Sequence, residues 1–223
     1  MNFFCATVEL EDHPTEGLKI HGGQYVAANA FINPGTSDDT RFTVRLLCYD
    51  AETSKLAAFM KLVPGQRVLV GGAFKFSKEL NARWDVIVHS LETNIAADTY
   101  CNHAMLGGAY LTKRDIKENA RGDTYSKLLG LDPGNDEEST LITMEIGASR
   151  LKKLEAIVAG KGNQLSVCGH VRAWKPADSD AVYRYIRGVE FEARSGAKTQ
   201  AAPAQVGSSV GQTAAEEDPV QDF

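Results

Sequence analysis

Two tryptophans, seven prolines and four cysteines are all that 223 residues contain of these types. The cysteines, at 5, 48, 101 and 168, show no CxxC spacing and the five histidines no HxxxH, so neither a zinc site nor a disulfide framework is indicated. Cys101-x-His103 is at most half of a metal site, with no second half nearby in sequence. Reduced thiols and a cytoplasmic setting are the plain expectation. Long apolar runs are missing too: nothing approaches the roughly 18 consecutive apolar residues of a membrane helix. The start, "MNFFCATVELEDH", alternates apolar and polar residues and then turns acidic, which suits a strand and not a secretory leader.

Catalytic patterns are equally scarce. "GKG" at 160–162 has neither the upstream glycine nor the following Ser or Thr of a phosphate loop, and "DPGNDEE" at 132–138 lacks the calcium-loop spacing. No acid pair, Ser-His or Cys-His arrangement stands out. The expectation is a protein that is not an enzyme and needs no cofactor and no metal.

Excess of positive charge is absent as well, the chain carrying 24 basic and 29 acidic side chains for a net −5. Its distribution is uneven. Residues 1–100 hold 9 basic and 12 acidic groups, 101–194 hold 14 and 13, and 195–223 hold one Lys against four acids. The second half is therefore better suited to an anionic partner.

What the sequence has is a repeat. "PGQRVLVGGAFKF" (64–76) and "KGNQLSVCGHVRA" (161–173) share a turn glycine, an alternating strand and a mid-strand glycine, Gly72 and Gly169. A segment of helical periodicity precedes each, "ETSKLAAFMKLV" (52–63) and "SRLKKLEAIVAG" (149–160). A strand opening with Arg-aromatic follows each, "RWDVIVHSLE" from Arg83 and "RYIRGVEFE" from Arg184. Alternating strands lie before the helices: "QYVAANAFIN" and "RFTVRLLCYD" in the first half, "AMLGGAYLT" and "TLITMEIG" in the second. Strands, one helix, then a two-strand hairpin within about 95 residues is the order of a five-stranded OB barrel. The predicted fold is all-β, two tandem OB-fold barrels of five strands plus one helix each, over 1–96 and 101–194. Residues 195–223 are rich in Ala, Gly, Ser and Gln and are expected to stay flexible.

The second repeat resembles the bacterial single-stranded DNA-binding proteins over nearly its whole length. "MLGGAYLTKRD" (105–115) is similar to the family's first strand and turn, and "RLKKLEAIVAGKGNQLSVCGHVRAW" (150–174) to its helix, Lys-Gly turn and fourth strand. The first repeat is similar through "KLAAFMKLVPGQRVLVGGAF" and "RW". The resemblance implies binding of single-stranded DNA without sequence preference in replication, recombination and repair. It also implies a C-terminal tip that docks replication and repair proteins, and a homodimer with four barrels in all. Two features depart from the family: the position of its stacking tryptophan falls near Ile142 and near Thr43 or Val44, and the tip reads "DPVQDF".

Such a site needs Lys or Arg along a groove with aromatics between them. "HVRAWKPADSDAVYRYIR" supplies Arg172, Trp174, Lys175, Tyr183, Arg184, Tyr185 and Arg187 on one hairpin, with Phe191 read as core. The first half offers Phe74, Lys75, Phe76, Arg83 and Trp84, and the turn after the second half's first strand offers Tyr110, Lys113 and Arg114. Asp218, Pro219, Asp222 and Phe223 are the candidate partner-binding residues of the tip.

Overall fold

In a computed structural model, residues 2–18, 24–32, 42–49, 53–75, 84–131, 140–175, 178 and 182–194 are described. The alternating stretches of the first half form β1 (Asn2–Leu10), β2 (Thr15–Leu18), β3 (Gln24–Ile32), β4 (Phe42–Tyr49), helix α1 (Thr53–Met60), β5 (Arg67–Lys75) and β6 (Asp85–Glu92). The second half follows with β7 (Asn102–Leu111), β8 (Lys117–Glu118), β9 (Thr124–Leu131), β10 (Thr140–Gly147), helix α2 (Leu151–Glu155), β11 (Gln164–Trp174) and β12 (Tyr183–Ala193). Among the described residues no helix is long and apolar enough to cross a membrane.

The ladders close. β1 pairs with β3, β3 with β4, β4 with β6 in parallel, β6 with β5, and β5 with β1 again, a five-stranded barrel. In the second half the ladders run from β7 to β9, β10, β12 and β11 and return to β7. Alternation sends one side chain in two inward, so Val44, Leu46, Val68, Val70 and Val86 in one half and Leu106, Leu129, Met144, Ile146, Val167, Val171 and Ile186 in the other are buried. Phe191 lies among them, as the sequence suggests.

A strand must bend sharply where a small barrel closes, and both halves use one device. The register shifts at Gly71/Gly72 against β6 and at Cys168/Gly169 against β12. A Cβ on Gly72 would lie 2.1 Å from the Ile87 carbonyl oxygen, and one on Gly169 2.1 Å from that of Arg187. Replacing Gly169 with alanine forces the strands apart. The expected cost is about 1–3 kcal/mol, read as a fall of about 2–12 °C in the midpoint of a thermal melt.

The halves are joined edge to edge. β1 and β7 pair antiparallel from Asn2 opposite Leu106 to Ala6 opposite Asn102, making one continuous twelve-stranded sheet. The connecting segment has no strand between Glu92 and Asn102, and it is held by hydrogen bonds that Arg67 donates to the carbonyls of Ala97 and Thr99.

Three elements differ from expectation. β9, "TYSKLLGL", supplies the second half's missing strand; its mixed pattern hid it because Lys127 takes an inward position, opposite Met144, and donates from Nζ to the Arg114 carbonyl. Burial pushes the Lys127 ammonium below its ordinary range. The helical stretch at 149–160 contracts to a 3-10 turn (Ala148–Arg150) and the five residues of α2. The tail at 195–223, the tip residues Asp218, Pro219, Asp222 and Phe223 included, lies outside the described residues.

Candidate nucleic-acid interface

The β11–β12 hairpin is the best-formed surface for a single strand. Its ladder places Trp174 opposite Tyr183, Ala173 opposite Arg184, Arg172 opposite Tyr185, Val171 opposite Ile186 and His170 opposite Arg187. Because side chains alternate, Val171, Ala173 and Ile186 enter the core while His170, Arg172, Trp174, Tyr183, Tyr185 and Arg187 share the other face. Trp174 is 57 % exposed and Tyr183 43 %, with ring centroids 5.6 Å apart and planes tilted by 32°. Each ring hides one side of the other and leaves apolar surface toward solvent, a platform on which a flat base can stack. Lys175 follows, exposed, at the end of the strand.

The charge of this face is set with β10, which lies parallel to β12 with Thr143 opposite Tyr185 and Glu145 opposite Arg187. Arg187 Nη1 donates to Glu145 Oε1 over 2.8 Å. Burial pushes the Glu145 carboxyl above the usual range despite Arg187, with Asp123 adding to the rise and Arg172 opposing it. Arg172, Lys175 and Arg187 bring three cations to this face beside the Glu145 carboxylate. Burial also raises the Tyr185 phenol, so its hydroxyl keeps its proton at neutral pH and can donate to a phosphate or base edge.

Several candidates stand elsewhere. Arg184 has the opposite parity from Tyr183 and Tyr185, and its guanidinium carbon lies 5.7 Å from the centre of the Phe42 ring in the first half. It joins the two halves and is not on the hairpin's outer face. Tyr110 is buried, its ring laid over Gly130 so closely that a Cβ there would meet it at 2.2 Å, which removes it from solvent as a stacking surface. Lys113 and Arg114 are exposed in the turn after β7.

Phe74 and Trp84, at 4 and 5 % exposure, belong to the core of the first half and are not available to DNA. They form an aromatic cluster with Phe4 and Phe42, with ring centroids 4.7 Å apart for Phe4–Phe74, 5.2 Å for Phe74–Trp84 and 6.5 Å for Phe42–Trp84. Lys75 is exposed at the end of β5, opposite Asp85, and Phe76 and Arg83 lie outside the described residues. Of the residues near which the stacking tryptophan would fall, Ile142 and Val44 are in the core, while Thr43 is half-buried and donates from Oγ1 to Glu11 Oε2 over 3.3 Å.

The first half has another outer surface that motif reading missed. Tyr25 on β3 faces Tyr49 on β4, ring centroids 6.2 Å apart, beside Arg45. Arg45 grips Asp85 with two hydrogen bonds, 2.9 Å from Nε to Oδ1 and 2.5 Å from Nη2 to Oδ2, and this pairing raises its already high pKa. The signal was the shared parity of Tyr25, Ala27, Asn29 and Phe31 on one strand, opposite to that of core residues Val26, Ala28 and Ala30. Its arginine is matched by an acid. Among the described residues no three of His, Cys, Asp and Glu are grouped to hold a metal ion.

No protein-family model matches the sequence, and no curated protein matches it. Solved structures do. The wild-type single-stranded DNA binding protein of Thermus aquaticus superposes with a TM-score of 0.63 at 15 % identity, over 91 % of this chain and 97 % of that one. A deletion mutant of the same protein gives 0.63 and 15 %, over 92 % and 98 %. The likeness spans nearly the whole of both chains and establishes the fold.

Proposed function

We propose that the chain is a sequence-independent single-stranded DNA-binding protein built of two OB-fold units in tandem, 1–96 and 101–194, followed by a flexible linker and partner-binding tip at 195–223. The observation that carries this reading is the exposed Trp174–Tyr183 pair flanked by Arg172, Lys175 and Arg187 on the outer face of a barrel hairpin. Stacking rings with cations between them match a chain of phosphates and bare bases, and stacking tolerates every base because each has a flat π-face. The likeness in fold to a protein named for single-stranded DNA binding supports it.

The second unit dominates. It carries the exposed Trp174–Tyr183 pair with Arg172, Lys175 and Arg187, while the first contributes Tyr25, Tyr49 and an Arg45 paired with Asp85. In the full chain, Trp174→Ala should therefore cost more affinity than Tyr49→Ala. The protein acts in the cytoplasm, as a homodimer that presents four units with closed two-fold symmetry. Light scattering should return twice the chain mass.

The test is anisotropy of labelled poly-dT against a duplex of the same length, across salt concentrations. Tight binding to the single strand that weakens steeply with salt is expected. A second reading, an adaptor whose barrels bind mainly protein, draws on Phe3 and Met105, which face each other across β1 and β7 at 41 and 45 % exposure. That reading expects at most weak binding to poly-dT.

Glu145 supplies an internal control. It places a carboxylate among the cations and occupies Arg187, so Glu145→Gln should tighten binding about 2- to 5-fold. Binding by the native protein should also strengthen as pH falls through the raised Glu145 pKa, because protonation removes the repulsion and releases Arg187. The Gln variant should show no such step in an affinity-versus-pH series.

A further inference from the structure

Three of the four cysteines meet where the two halves join. Cys5 on β1 stands opposite His103 on β7, and Cys101 precedes β7 by one residue. The Cys101 Sγ lies 3.6 Å from the Cys5 Sγ and 3.3 Å from the Cys5 carbonyl oxygen. On the neighbouring strand the Cys168 Sγ lies 3.2 Å from His103 Nε2, while Cys48 is buried in the first half. Cys5 and Cys101 are both partly exposed, within reach of a small oxidant.

We propose that Cys5 and Cys101 are an oxidative modification site, at which hydrogen peroxide or another small hydroperoxide closes a disulfide that staples the two halves together. The sulfurs are in contact before any reaction. Closing the gap to about 2.05 Å asks for a movement of roughly 1.5 Å. Cys101 can supply it, since it ends the connecting segment and lies outside β7, although its backbone is tied to Thr7: Thr7 N donates to the Cys101 carbonyl over 2.9 Å and Cys101 N to Thr7 Oγ1 over 3.1 Å.

The order of events follows from the thiols. Burial first, then the neighbouring Cys5, holds the Cys101 thiol up at about 11, so its thiolate is scarce at neutral pH. Cys101 ends the connecting segment and can move, which suits it to resolve, so Cys5 is the sulfur oxidised first: it attacks the peroxide oxygen, the O–O bond breaks, and Cys5 becomes a sulfenic acid as one water leaves. Cys101 then attacks the Cys5 sulfur, the S–O bond breaks, and the Cys101 proton departs with the hydroxyl as a second water. Two thiols lose two electrons and two protons, and one peroxide becomes two waters. The scarcity of Cys101 thiolate makes this second step slow at neutral pH and faster as pH rises.

The consequence is mechanical. The bond would close a loop of about 100 residues and fix the β1–β7 ladder across which the halves meet. It also leaves Cys168 and the hairpin face untouched.

The experiment treats the full chain, freed of reductant, with a small excess of hydrogen peroxide. Peptide mapping without reduction should find the Cys5 and Cys101 peptides linked and two hydrogens lighter, and the thiol titre after denaturation should fall from the four cysteines of the sequence to two. The melting midpoint should rise by about 5–15 °C and return with dithiothreitol. Cys101→Ser should lose both the link and the rise, and Cys168→Ser should keep both. A link that involves Cys168, thiols consumed only as separate sulfinic or sulfonic acids, or a linked chain with an unchanged midpoint would each overturn the proposal.

Discussion

Replacing Trp174 with alanine is expected to weaken binding to poly-dT about 5- to 150-fold, the equivalent of roughly 1–3 kcal/mol, while the thermal midpoint moves by no more than about 2 °C. The two halves of that expectation rest on one observation. Trp174 is more than half exposed and lies beside Tyr183, itself exposed, so removing it opens no buried cavity. Its value would lie in the bound state, where a base covers the free side of the ring. Trp174→Phe keeps a flat apolar surface and should retain most of the affinity. A Trp174→Ala variant that melts early and binds normally would return this residue to the core and remove the platform from the account.

Removal of Phe223 is expected to abolish retention of replication and repair proteins from a host lysate, with poly-dT affinity unchanged or slightly higher. On the proposed function, an aromatic ring with Asp218 and Asp222 nearby would be a portable ligand: the ring would fill an apolar pocket while the acids meet Lys or Arg at the rim. On the same reading, a linker of small and polar residues would let the tip search for partners while the rest of the chain holds DNA, which would raise a partner's effective concentration at the strand. A tail that merely aids solubility would not depend on its last residue. If the chain without Phe223 retains the same partners as the native one, the tip has no such role.

The strands were legible because their devices are local. Alternation marks a strand, and a mid-strand glycine at the same offset in two copies marks a bend, so Gly72 and Gly169 announced the repeat before any ladder was known. β9 was not legible because its inward Lys127 breaks the apolar alternation, and only the barrel's end explains how an ammonium is satisfied there by the Arg114 carbonyl.

The site was legible by region but not by face. Matching Arg83-Trp84 to Arg184-Tyr185 looks sound as text, yet the ladders set Gly72 opposite Val88 and Gly169 opposite Gly188, which aligns Trp84 with Arg184. A slip of one residue exchanges inside for outside. Trp84 therefore completes an aromatic core, and Arg184, at the corresponding position, turns toward Phe42 of the other half. Phe74 shows the same limit: parity groups residues into faces, but which face is core depends on strands distant in sequence.

The two tryptophans differ so much in exposure, 5 % for Trp84 and 57 % for Trp174, that intrinsic fluorescence reports on the proposed platform directly. Titrating the full chain with poly-dT at several salt concentrations should quench the emission, with log affinity falling against log salt at a slope of about −2 or steeper, since three cations flank the platform and each released counterion contributes about −0.7. In Trp174→Phe the remaining Trp84 emission should not change as the strand is added, although anisotropy still records binding. Emission that stays constant in the native protein at low salt and excess strand, or quenching that survives in Trp174→Phe, would contradict the claim that single-stranded DNA binds on the β11–β12 hairpin.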